Sequence, residues 1–223
     1  MTKQNLTIKN LIICAKDFCE QESKMPNKEL FGVTDGKAVG TYIEHKFKDF
    51  LLSKFNLQVG SSASGIDLPS SEINTDIKVT SIKQPQSSCP FKNAQQKIFG
   101  LGYNLLVFVY DKHDDAKKKT ALLDFVSCLF IEKERTADYQ TTTALQQMID
   151  NKANAEDIFA YLNDRNIPAD EITLMEMAKA ILKNPPEIGY LTISNALQWR
   201  LQYGRIVTLK DKISRITKII DKC

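Results

Sequence analysis

Residues 104–110, Asn-Leu-Leu-Val-Phe-Val-Tyr, form a nearly continuous apolar run of strand length. Such a run suits a strand buried on both faces, as in a sheet covered by helices. A second strong strand is predicted over 121–131, after a charged turn at 111–120 in which Lys117, Lys118 and Lys119 read as a solvated hairpin tip. Upstream, Val39, Ile43, Phe47, Phe50, Leu51 and Phe55 recur at helical spacing and predict a helix over 38–55. Residues 57–60 read as a short strand. Ile73, Ile77 and Val79 then alternate with Asn74, Asp76, Lys78 and Thr80, the period of a half-buried strand. A polar loop over 83–90 and a short helix over 91–100 complete the stretch. The order for 38–131 is helix, strand, turn, strand, helix, strand, strand. This predicts an α/β core, a small mixed central sheet flanked by helices.

The flanks are predicted helical. A first helix covers 5–22, carrying Leu11, Ile12, Cys14, Ala15, Phe18 and Cys19, and residues 31–37 form a loop with two glycines. Composition shifts after about Glu134, dividing the chain into 1–134, the α/β core with its N-terminal helix, and 135–223, a helical region suited to DNA binding or dimerisation. Helices are expected at 143–151, 155–164, 170–183 and 194–203, then a basic helix at 209–222.

Chemistry concentrates on the alternating strand. Asp76 and Lys78 share one face while Ile77 and Val79 turn into the core. Asp67 lies in a turn-rich segment nine residues earlier, and Leu68-Pro69-Ser70-Ser71 allows the chain to fold back and bring it near Asp76. Two carboxylates can hold a divalent metal through oxygen, and Mg²⁺ suits a site that keeps waters and meets a phosphate. The lysine can steady phosphate charge or help activate a water. Together these groups supply what phosphodiester hydrolysis needs. The triplet alone is common: Asp35-Gly36-Lys37, Glu44-His45-Lys46 and Asp115-Ala116-Lys117 share it. Its place on a strand, with an acid at the preceding turn, sets Asp76-Ile77-Lys78 apart. Glu44 borders the apolar stripe of helix 38–55, on the side of Leu51 and Phe55. From there it can reach an adjacent site or water. Lys46, Lys48 and Lys54 read as solvated.

Other classes of site find less support. The five cysteines (Cys14, Cys19, Cys89, Cys128 and Cys223) contain no CxxC pair and are an odd number, so buried free thiols in a reducing compartment are expected rather than zinc or disulfides. No apolar run reaches membrane-span length, and the N-terminus lacks a secretory core, so a cytoplasmic protein is expected, with no membrane partner. The net charge of +3 permits nucleic-acid binding without demanding it.

On Ile66-Asp67 and Asp76-Ile77-Lys78, within residues 38–111, the chain resembles the PD-(D/E)xK nuclease superfamily. Ile66 stands where that motif has proline, and the acids are closely spaced. The Gln-xxx-Tyr element of its exonuclease branch is replaced by Gln95 followed by Phe99. The size and helical extra half look most like a type II restriction endonuclease. That resemblance implies a Mg²⁺-dependent homodimer cutting double-stranded DNA at a short site, as symmetry matches symmetry. It implies Asp67 and Asp76 as metal ligands, joined by the backbone oxygen of Ile77. Lys78 would position or activate the water, and Glu44 would be an auxiliary ligand. Lys83, Gln84, Gln86 and Ser87 in the loop after the strand are candidate DNA contacts. Residues 174–207 also vaguely resemble a winged helix, with Trp199, Arg200 and Arg205 as DNA contacts or Leu197, Trp199 and Leu201 as packing residues. This leaves two alternatives, a non-catalytic DNA-binding regulator and a structure-specific repair or junction nuclease.

Overall fold

A computed structural model describes residues 3–60, 65–89, 92–194 and 199–223, with Trp199 described in its backbone alone. The chain divides into two compact units. One comprises 1–87, 104–131 and 207–223, and the other 88–103 and 132–206.

The first unit is built on a four-stranded mixed sheet of order β1-β3-β4-β7. Strand β1 is Thr75–Ser81, β3 is Asn104–Asp115, β4 is Thr120–Ile131 and β7 is Ile216–Asp221. β1 runs parallel to β3, with Asp76 opposite Leu105 and Lys78 opposite Val107. β3–β4 and β4–β7 are antiparallel. The apolar run ahead of Asp111 is buried as expected, but β3 continues through the charged residues to Asp115, so the turn shrinks to 116–119. Helix α1, Ile8–Glu22, packs on β4 and β7, and helix α2, Gly36–Lys54, packs on β1. The Asp35 carboxylate caps α2 by accepting the N–H groups of Lys37 (3.0 Å) and Ala38 (3.3 Å). Val39, Ile43, Phe47 and Leu51 form its buried stripe. The core is aromatic. Phe47 meets Phe108 with ring centroids 4.9 Å apart and Phe18 at 5.1 Å, both edge-on, and Phe125 closes the cluster. Burying each such ring stabilises the fold by roughly 1.5–3 kcal/mol.

The second unit holds α4 (Tyr139–Asp150), α5 (Ala155–Asp164) and α6 (Glu171–Lys183), packed through Leu145, Ile158, Leu162, Met177 and Ile181. Strands β5 (Thr192–Ile193) and β6 (Trp199–Gln202) pair antiparallel in this unit, Ile193 opposite Leu201; β2 is Gln86–Cys89, which begins in the first unit. Asp138 anchors this unit. Its carboxylate caps α4 through the Thr141 N–H and hydroxyl (2.9 and 2.7 Å), and it accepts the Ile193 N–H at 2.8 Å.

Several expectations are corrected. No strand forms at 57–60; there Leu57 packs against the core and the Gly60 N–H donates to the Asp67 carbonyl at 2.8 Å. The expected loop 83–90 contains β2. The helix expected at 91–100 is reduced to α3, Gln96–Phe99, and residues 90–91 lie outside the described set. Of the helix expected at 194–203, residues 199–202 form β6 instead, and 195–198, Leu197 among them, lie outside the described residues. Arg200 and Gln202 are exposed while Leu201 and Tyr203 are buried, a period of two. The basic helix at 209–222 is β7, preceded by the short helix α7 (Gly204–Val207). Arg215 adopts a left-handed backbone (φ 68°) that stops any helix, and Ile216, Ile219 and Ile220 favour a strand. Four cysteines are buried as free thiols and Cys223 is exposed. Among the described residues, no helix is long and apolar enough to cross a membrane.

Candidate active site

The turn at Ser70–Asn74 brings Asp67 back to β1. Ser70 O accepts the N–H groups of Ile73 (3.0 Å) and Asn74 (2.7 Å), and Leu68 and Thr75 exchange two backbone hydrogen bonds of 3.0 Å. Asn74 supports the reversal with φ 36°. In a strand, the N–H and C=O of one residue point to the same edge. Thr75 and Ile77 therefore face the open edge of β1, away from β3. Asp67 Oδ2 accepts the Ile77 N–H at 2.8 Å along this edge, which places the Ile77 carbonyl on the same side.

Asp76 and Lys78 share a face, and Lys78 Nζ lies 2.7 Å from Asp76 Oδ2. This is an ion pair of poor angular geometry, because Asp76 Oδ2 is buried with no hydrogen bond of ordinary geometry. The Asp67 and Asp76 carboxyls lie within hydrogen-bonding reach of each other. Burial raises the pKa of Asp76 to about 7; the shared hydrogen bond and charge of Asp67 add to this, and Lys78 opposes it. For Asp67, burial is outweighed by the hydrogen bonds from Asp76, Lys48 and the Ile77 N–H, and its pKa falls. Two such carboxyls hold one proton between them more readily than two negative charges.

The largest departure from expectation is Lys48. It is enclosed rather than solvated, with 12% of its side chain exposed. Its Nζ lies 2.5 Å from Asp67 Oδ1 and 2.7 Å from Glu44 Oε1. Burial would lower the Lys48 pKa, but Asp67 and Glu44 raise it. Glu44 thus meets Asp67 through this ammonium. Lys48 lies four residues after Glu44 on α2, and that spacing was the signal available in the sequence. Lys46 is also engaged, with Glu22 at 2.8 Å, while Lys54 is exposed above the Phe50 ring. A cleft of about 720 Å³ beside α2 is lined by Glu44, His45, Lys48, Asp49 and Asp67, among others.

No group of three or more His, Cys, Asp and Glu side chains among the described residues is arranged to hold a metal. What geometry assembles is a carboxylate pair, an outward-facing carbonyl and a buried acceptor at Asp76 Oδ2 whose 2.7 Å contact with Lys78 lacks hydrogen-bond geometry. This all-oxygen set fits a hard divalent cation whose remaining ligands are waters.

The DNA-contact candidates separate. Lys83 and Gln84 are exposed in the turn beyond β1. Gln86 and Ser87 are half-buried, and the Gln86 backbone is bonded to the Thr80 hydroxyl at 3.0 Å. Arg200 is exposed on β6. Arg205 stacks 3.7 Å from the Tyr139 ring centroid. The Trp199 side chain lies outside the described set.

The sequence profile of the type II restriction enzyme NspV family matches residues 5–218. A curated relative, the type II restriction enzyme NspV of Nostoc sp., is 54% identical over 202 residues, covering 91% of this chain and 91% of the relative. No solved structure matches the chain.

Proposed function

This chain belongs to the family of the type II restriction enzyme NspV, and from that premise we propose that the Asp67–Asp76–Lys78 cluster is the centre at which it cuts double-stranded DNA. The family sets aside a regulator without catalysis and a junction nuclease. Asp67 and Asp76 are assigned as ligands of a divalent cation, Mg²⁺, with the Ile77 carbonyl beside them and Glu44 as an auxiliary group. The observation that carries the assignment is the pairing of half-buried Asp67 with buried Asp76, with the Ile77 N–H held by Asp67 Oδ2 at 2.8 Å and Lys78 Nζ 2.7 Å from Asp76 Oδ2. When bound, the cation supplies positive charge to polarise a phosphodiester oxygen. The Ile77 N–H fixes one oxygen of Asp67, so that the other keeps its direction. Asp76 holds the Lys78 ammonium at the rim, where it orients the attacking water and steadies charge on the phosphoryl oxygens. Lys83, Gln84, Gln86 and Ser87, beyond the C-terminal end of β1, are assigned to the DNA backbone or bases, with Arg200 and Arg205 as further contacts. The region after residue 134 is assigned to DNA recognition or dimerisation. A two-fold homodimer would present two such centres to a short symmetric site.

The test is digestion of phage DNA with Mg²⁺ or with EDTA, read on a gel. Discrete Mg²⁺-dependent bands are expected. Asp76→Ala and Lys78→Ala should lose cleavage while still shifting DNA in a binding gel. Cutting by both variants would remove the assignment.

A further inference from the structure

Lys48 lies outside the acid–x–Lys motif yet makes two ion pairs inside the candidate site. Its Nζ stands on Asp67 Oδ1 while the other oxygen of Asp67 is committed to the Ile77 backbone. The same Nζ also contacts Glu44. Its root on α2 is fixed, because the adjacent Phe47 and nearby Leu51 are fully buried. An enclosed ammonium is costly unless paired, and here two carboxylates compensate it. We propose that Lys48 is the built-in counter-ion of the metal-free site. It competes with a divalent cation for Asp67 Oδ1, and it retreats to Glu44 alone when that cation enters. Lys48 is thus a positioning residue, and Glu44 is the acceptor that receives it. The same ammonium sets a threshold on metal entry.

This rests on the metal reading of Asp67 and Asp76, and the experiment separates the two. Ca²⁺ serves as the probe, and binding is measured by titration calorimetry on the full chain without DNA. Wild type should bind Ca²⁺ and Asp76→Asn should lose it; equal binding by both would sink the metal reading and this inference with it. Lys48→Met should bind Ca²⁺ at least fivefold more tightly than wild type, because a unit positive charge beside the ion has gone. A smaller gain, no change or weaker binding, with Asp76→Asn still inactive in binding, would overturn the inference alone. A second readout needs no variant. Reductive methylation of wild type, followed by peptide mass analysis, should label Lys48 more in Ca²⁺ than in EDTA, and equal or lower labelling would overturn the displacement.

Discussion

Replacing Asp76 by Asn should stabilise the metal-free protein more at pH 8 than at pH 5. Asp76 titrates near 7 in the fold against an ordinary 3.8. Between those values the native state holds a proton that the unfolded chain has released. Stability conferred by the protonated form is therefore full below about pH 4 and is lost as pH rises through about 7, the reverse of a salt-bridged aspartate. Each pH unit across the gap costs at most about 1.4 kcal/mol, giving a ceiling of about 4 kcal/mol. Asp67, whose pKa is lowered by the same contact, acts in the opposite sense, but only below about pH 4 and so outside this window. Asn is neutral at every pH and can still donate to Asp67. The assay is urea unfolding of both proteins in EDTA at pH 5 and pH 8. The stability difference between Asn and Asp forms should widen by about 2–3 kcal/mol between pH 5 and pH 8, because only the part of the gap above pH 5 falls in that window. A difference that stays constant with pH, or a variant less stable than wild type at pH 8, would refute the shared-proton account.

Two further outcomes concern the second unit. A Cβ on Gly189 would overlap the Ala137 backbone carbonyl, so Gly189→Ala should cost about 3 kcal/mol, seen as a melting temperature lower by about 6–12 °C. Asp138→Ala removes the acceptor of the Thr141 and Ile193 N–H groups in a buried setting; a loss of about 2–4 kcal/mol in chemical unfolding is expected, and a loss under 1 kcal/mol would deny it the anchoring role.

What was legible in the sequence was whatever a single element's period could encode. The double-sided burial of 104–110, the stripe of α2 and the shared face of Asp76 and Lys78 all follow from residue spacing along one strand or helix. Strand β7 is not legible in this way, because Ile213, Ile216 and Ile220 also fit a helical stripe and short apolar runs do not separate the two periods. Only the pairing of β7 with the edge of β4 decides between them, and that is tertiary. Residues 199–203 did carry a period-two alternation, which a helical reading of their neighbours obscured.

The enclosure of Lys48 has a similar origin, and its cause can be followed along α2. Gly40, Glu44 and Lys48 are spaced by four and form one column of that helix. At Gly40 an added Cβ would meet the Val79 carbonyl at 3.5 Å, so the helix runs close to the open edge of β1. Val79, Ile77 and Thr75 all direct their backbone groups to that edge. The same column that presents glycine to Val79 then presents Glu44 and Lys48 to Asp67, which is itself tied to Ile77 on the edge. A lysine that is solvated on a free helix becomes a buried counter-ion because the glycine before it lets the helix approach. The acid–x–Lys triplet marks where the acids stand, and the column on α2 determines which cation meets them first.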